Sequence, residues 1–187
     1  MVARVATLTG TRRVGEGWLR REVAVAGFLA RAGAPVVAPS AEIDPGPHTH
    51  EGISLSFWDY VEETEAPLDA VEAGRRLRVC HEVLAGYEGE LEPLGTLVEA
   101  ERWLEELAAE GRIDKDSAVR LRSDAAETRR RIEALGLPMQ AVHGDAHLDN
   151  AINTAAGPLW NDWEDTCLGA TGAGSRLYAG GGLRLGR

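Results

Sequence analysis

This chain of 187 residues has only two cysteines, a single lysine, no long apolar run and too few cations to offset its acids. Cys80 and Cys167 stand far apart and form no C-x-x-C pair. Neither a disulfide framework nor a zinc knuckle is therefore suggested, and both thiols are expected to be reduced and packed in the core. Lys115 is the lone lysine, so nearly all positive charge is arginine. No stretch approaches the roughly 20 apolar residues needed to cross a bilayer, and the start MVARVATLTGTRR is not signal-like. A cytoplasmic location with no membrane partner is the expectation. Twenty basic against thirty acidic side chains leave a formal charge of −10. That balance argues against nucleic acid or an anionic membrane as principal partner, since both require a basic footprint. It serves solubility, and nothing in it speaks to oligomeric state.

Forty-four per cent apolar and 27% charged residues describe a folding chain. Its length allows one core, or two small lobes sharing a cleft. Val2–Thr7 is a β-branched run carrying Arg4 and predicts a strand. Across 18–31, Leu19, Val23, Ala26 and Ala30 recur at helical spacing, with Gly33 and Pro35 as the stop. Turn residues fill 35–47, after which Ile53, Leu55 and Phe57 alternate with polar residues as in a strand. The pair His48 and His50 has the spacing of some metal sites, but its Gly and Pro neighbours predict a surface loop.

From Pro67 the period changes to about 3.6 and gives three helices. The first is marked by Leu77, Cys80, Leu84 and Tyr87, the second by Leu97, Ala100, Leu104 and Leu107. The third steps through Ala118, Leu121, Ala125, Thr128, Ile132 and Leu135, with Asp114 or Asp116 as cap and Gly136 and Pro138 as stop. Its outer arginines, 120, 122 and 129–131, alternate with Asp124, Glu127 and Glu133, which predicts an ion-paired solvated face rather than a phosphate surface. Met139–Val142 then reads as a strand entering His143, and 151–153 with 158–160 as a hairpin around Thr154–Gly157.

Asp145 is followed by Asn150, the D-x-x-x-x-N spacing of a kinase catalytic loop, and Asp162 falls just past the hairpin. Phosphoryl transfer requires in-line positioning, a carboxylate to orient the acceptor hydroxyl, and a hard cation on the phosphates. Oxygen donors from Asn150 and Asp162 suit Mg2+, which uses few protein ligands.

The segments HGDAHLDN at 143–150 and DWED at 162–165 together resemble the HGDxHxxN and DWED segments of the aminoglycoside phosphotransferase and choline kinase superfamily. Either alone is a common polar turn; the two at this separation are specific. The resemblance implies an α+β, protein-kinase-like bilobal fold, with a small, incomplete β-containing N-lobe at 1–61 and a mainly helical C-lobe at 62–168. It implies an ATP- and Mg2+-dependent transfer of the γ-phosphoryl group to the hydroxyl of a small molecule. Asp145 is then the catalytic base, His143 braces the loop, and Asn150 and Asp162 are magnesium ligands. In the same frame Arg4 and Glu22 stand for the basic residue and acid that hold the ATP phosphates, with Arg replacing the usual Lys. The stretch 56–61 becomes the interlobe linker, whose backbone at Asp59 and Val61 contacts adenine. His147 and Asp149 receive no role.

Two departures accompany the match. The chain starts almost on the strand of Arg4, with no glycine-rich hairpin before it, and 169–187 is a glycine-rich tail with seven glycines, three arginines and no acid. The expectation is a chain truncated or frame-shifted at both ends, with apolar helix faces left open. Two other readings stay open: a non-catalytic remnant or nucleotide-binding module, and a hydrolase holding a transition metal on His143, Asp145, His147 and Asp149.

Overall fold

A computed structural model describes residues 1–6 and 16–171. The β-branched run forms β1 (Val2–Val5), which pairs antiparallel with β3 (Ile53–Trp58) so that Arg4 lies opposite Ser56. The other edge of β3 carries β2 (His48–His50), giving the order β1-β3-β2. This corrects the loop expected around the H-x-H pair. His50 faces Ile53 across a two-residue turn in which Glu51 and Gly52 both have positive φ, 49° and 80°. Such a turn matches the twist of the strands it joins.

Between β1 and β2 runs α1 (Gly17–Arg31), whose buried residues are Trp18, Leu19, Glu22, Val25, Ala26 and Leu29. The stripe is rotated slightly from the Val23 and Ala30 face expected, and it includes an acid. Gly33, at φ 73°, turns the chain out of the helix. The following segment is stitched to both neighbours: Val37 N–H donates to the Trp160 carbonyl at 2.9 Å, and Ser40 N–H to that of Phe57 at 2.9 Å.

Three helices follow. Asp69 caps α2 (Ala70–Leu84) by accepting from the N–H groups of Val71 and Glu72. α3 spans Gly95–Ala109, and Asp114 caps α4 (Lys115–Ala134) through Ser117 N–H at 2.8 Å. Tyr87 lies beyond α2, its ring edge against Phe28. The arginines of α4 are ion-paired as expected: Arg130 and Arg131 on Glu127, and Arg129 on Glu101 of α3.

β4 (Met139–Val142) pairs antiparallel with β7 (Cys167–Ala170), and β5 (Ala151–Ile152) with β6 (Leu159–Trp160). Gly169 and Ala170 therefore belong to a strand, not to the glycine-rich tail; residues 172–187 of that tail lie outside the described residues. One core gathers Val25, Leu29, Trp58, Leu77, Trp160 and Trp163. Burying such side chains contributes about 1.5–3 kcal/mol each. Both cysteines are free and buried, and burial pushes the Cys80 thiol up to about 12. By contrast, α3 has no fully buried residue and α4 only Ala118. Their apolar sides instead line a groove of about 530 Å³ with Val142, Cys167 and Ala170, reaching Gly144. No described helix is long and apolar enough to cross a membrane.

Candidate functional site

β4 delivers the chain to His143, whose side chain is fully buried. Its ring lies 4.4 Å from Trp163 and 5.4 Å from Trp160, centroid to centroid. His143 Nε2 lies 2.9 Å from the carbonyl of Asn161, which only accepts, so the ring proton sits on Nε2. The backbone N–H of His143 donates to His81 Nε2 at 3.1 Å. Burial lowers the affinity of both rings for a second proton, that of His81 down to about 4 with a smaller push from His143. Both shifts favour the neutral ring, and His143 ties the end of β4 to Asn161.

Gly144 turns the chain with φ 87°, and a Cβ there would collide with the carbonyl oxygen of Asp165. The two motif segments touch at this point. Asp145 follows, its carboxylate half exposed and its carbonyl accepting from His147 N–H at 3.0 Å and Asn150 Nδ2 at 2.9 Å. A 3-10 turn at Leu148–Asn150 closes the loop and buries Asn150. Nδ2 of Asn150 is spent on Asp145, and its amide oxygen is an acceptor. Asn161 links the two motifs: its carbonyl receives His143 Nε2, and its N–H donates to the Asn150 carbonyl at 2.9 Å.

Asp162 then adopts a left-handed backbone, φ 62° and ψ 55°. Non-glycine residues held there cost on the order of 1–3 kcal/mol and concentrate at functional sites. Its Oδ1 lies 2.9 Å from Arg4 Nη2, and the same nitrogen lies 2.8 Å from Glu164 Oε2. The other guanidinium nitrogen, Nη1, binds Glu22 Oε1. Glu22 is 2% exposed, and among the described residues its Oε2 has no hydrogen-bond partner. Burial, aided by Asp162 and Glu164, pushes its carboxyl up to about 8 against the pull of Arg4; at Arg4 itself burial works against the charge, and the acids around it more than offset that. Arg21 Nε anchors this turn by donating to the Glu164 carbonyl at 2.6 Å.

Arg4, Glu22 and Asp162 thus converge from a strand, a helix and a turn. His143, Asp145 and Asn150 join them through Asn161. Asp59 and Val61 lie elsewhere in the contact network: Asp59 N–H donates to the Ala38 carbonyl at 3.0 Å, and Val61 packs against the core. His147, given no role by sequence, lies 3.3 Å from Asp145 Oδ2 and 3.6 Å from Asp149 Oδ2. Sequence reasoning missed Asn161 and Glu164. The second had a signal, since the buried stripe of α1 carries an acid and DWED repeats acids at 162 and 164, so that one arginine has several carboxylates to face.

The residues present fit a hard cation: the Asn150 amide oxygen and the Asp162 carboxylate are the kind of oxygen donor that Mg2+ takes. A transition-metal site on the His143 face is not supported. His143 Nε2 is committed to Asn161, and no three His, Cys, Asp or Glu groups among the described residues are arranged to hold a metal.

Residues 16–172 match the family model APH, the phosphotransferase enzyme family. Among solved structures, an amicoumacin kinase, hAmiN, in complex with AMP-PNP, Ca2+ and Ami, superposes with a TM-score of 0.64 at 16% identity. The match covers 90% of this chain and 52% of that one. An aminoglycoside phosphotransferase from Alicyclobacillus acidocaldarius matches at 14% identity with a TM-score of 0.49, covering 90% of this chain and 57% of that one. No curated protein matches. The chain spans about half the length of these solved chains, and the first likeness establishes an α+β fold of the protein-kinase-like kind.

Proposed function

The chain belongs to the APH phosphotransferase enzyme family, and from that premise we propose that it transfers the γ-phosphoryl group of ATP to a hydroxyl of a small molecule, with Mg2+. In this reading residues 1–61 form the nucleotide-side lobe and 62–168 the lobe with the catalytic loop. Arg4, positioned by Glu22, contacts the ATP phosphates, and the main chain at Asp59 and Val61 lies against the adenine. Asn150 and Asp162 would hold Mg2+, which would neutralise phosphate charge. The Asp145 carboxylate, half exposed on a loop braced from within, accepts the proton of the acceptor hydroxyl as that oxygen attacks the γ-phosphorus and ADP departs. His143 keeps the loop in place through Asn161 and His81.

One observation carries this reading. Arg4 and Asp162, 158 positions apart, meet within hydrogen-bond distance beside Glu22. With Glu22 2% exposed and Glu164 buried, this is not a solvent-exposed ion pair of the kind that contributes about 0–1 kcal/mol; charges gathered with such loss of hydration suit a site for charged ligands. The test is ATP consumption against a panel of small hydroxyl compounds, including amino sugars and amino alcohols, with Asp145→Ala as control. Transfer that vanishes in the variant supports the proposal; equal turnover in both removes Asp145 from its role.

A nucleotide-binding protein that does not transfer is the second reading. It is favoured by the groove along α3 and α4, which reaches Gly144 and is lined mostly by apolar side chains among the described residues, so that few polar groups there would orient a hydroxyl acceptor. AMP-PNP binding without phosphorylation of any acceptor supports that version.

A further inference from the structure

His147 stands inside the catalytic-loop motif and has so far been given no role. Its backbone N–H closes on the Asp145 carbonyl at 3.0 Å, and its own carbonyl accepts from Asn150 N–H at 3.0 Å. In this tight turn the imidazole comes back beside the Asp145 side chain, with Nε2 3.3 Å from Oδ2. Resting on the proposed function, we propose that His147 is a positioning residue for Asp145: its ring holds Oδ2 and so leaves Oδ1 to receive the acceptor hydroxyl.

The need for such a group follows from how the loop is built. The main chain of Asp145 is fixed, because its carbonyl receives both His147 N–H and Asn150 Nδ2. Its carboxylate is not fixed by those bonds. It projects half exposed, and two side-chain torsions with several favoured settings separate it from the backbone. A general base must stand within about 2.6–3.2 Å of the group whose proton it takes. A carboxylate swinging between rotamers misses that place much of the time, and a misplacement of about 1 Å can cost on the order of a hundredfold in rate. Among the described residues, no side-chain donor other than the His147 ring is paired with this carboxylate. A neutral imidazole with its proton on Nε2 supplies the one donor required, so the ring need not change its charge. The 3.3 Å separation leaves the contact to tighten, as catalytic hydrogen bonds commonly do once substrate is bound. Asp149 stands on the other side of the ring, Oδ2 3.6 Å from Nδ1, but it is 99% exposed and beyond hydrogen-bond reach, so it takes no part.

The experiment compares the full chain with His147→Ala, His147→Gln and Asp149→Asn, using ATP and whichever compound of the hydroxyl panel accepts the phosphoryl group. His147→Ala is expected to lower kcat about tenfold or more while KM for ATP stays as in wild type. His147→Gln, whose amide nitrogen can stand where Nε2 stood, should recover most of that loss, and Asp149→Asn should behave as wild type. The proposal is overturned by a His147→Ala variant that keeps kcat or loses only KM for ATP. It is equally overturned if Gln recovers nothing, or if Asp149→Asn loses as much as His147→Ala. Wild type that transfers to no compound removes the functional reading, and the positioning is then decided without turnover by NMR. Three-bond couplings should report one χ1 rotamer for Asp145 in wild type and averaging between rotamers in His147→Ala. Averaging already present in wild type, or one rotamer kept in both, overturns the proposal.

Discussion

Gly144 lies against the carbonyl oxygen of Asp165, so closely that any Cβ at position 144 would strike it, and its φ of 87° is one that side chains resist. This contact joins the catalytic-loop segment to the DWED turn. Gly144→Ala must move one segment off the other as well as accept backbone strain of about 1–3 kcal/mol. Urea denaturation should show a loss of at least that size, with nucleotide affinity falling alongside. A variant as stable as wild type would mean that the two segments are not held by this contact.

Stability should fall in mild acid because of the buried histidine pair. The His81 ring accepts a hydrogen bond from His143 N–H and is held neutral, its pKa near 4 against about 6.5 when unfolded. Since the folded value is the lower one, the unfolded chain takes up protons first as pH drops below about 6.5. Stabilisation is lost between there and about 4, on the order of 3 kcal/mol for His81 alone at about 1.4 kcal/mol per unit. His143 is depressed by burial in the same sense. His81→Gln keeps an acceptor without a titrating group, so its stability should vary less over this range. An unchanged pH slope in that variant would contradict the assignment.

Much of this fold was legible in the sequence wherever a local rule sufficed. α4 shows a 3.6 period over twenty residues, with Asp114 before it and Gly136 after it, and its arginines have acids at three and four positions. The β5–β6 hairpin is announced by its turn residues, and β1 and β3 by β-branched and alternating residues. What local rules could not reach was pairing at a distance. β2 is three residues long and exists because β3 offers an edge across the Glu51–Gly52 turn; β7 exists because Met139–Val142 offers another. Glu22 is placed beside Arg4 only through the family resemblance, since periodicity alone leaves it a helix-surface acid; its burial against Arg4 comes from the packing of α1. Asn161 and Glu164 sit beside recognised motif residues but act through partners far along the chain.

Trp163 anchors the DWED turn in the core, with no exposed surface, its ring on that of His143. Removing so large a buried side chain typically costs about 3–5 kcal/mol, a large part of the roughly 5–15 kcal/mol that holds a domain together. Trp163→Ala should therefore be marginally folded at best, with an early urea transition. Val119→Ala, on the exposed side of α4, should lie within about 0.5 kcal/mol of wild type. Similar losses in the two would contradict the core described here.

Asp145→Asn and Asp162→Asn should separate chemistry from binding. The first keeps shape and hydrogen bonding but cannot take a proton, so the rate should fall by about 10²–10⁴ with AMP-PNP affinity intact. In the second, the cation loses a charged ligand, and affinity itself should fall. Identical profiles in the two would undo the division of roles.

The most direct test of the central claim, that Arg4, Glu22, Asn150 and Asp162 compose a nucleotide and cation site, is a calorimetric titration of the full chain with AMP-PNP in the presence of Mg2+, repeated on Asp162→Ala. The account predicts saturable 1:1 binding that requires Mg2+ and weakens about tenfold or more in the variant, a difference of about 1.4 kcal/mol. No binding by wild type, or binding indifferent to both Mg2+ and Asp162, would contradict it.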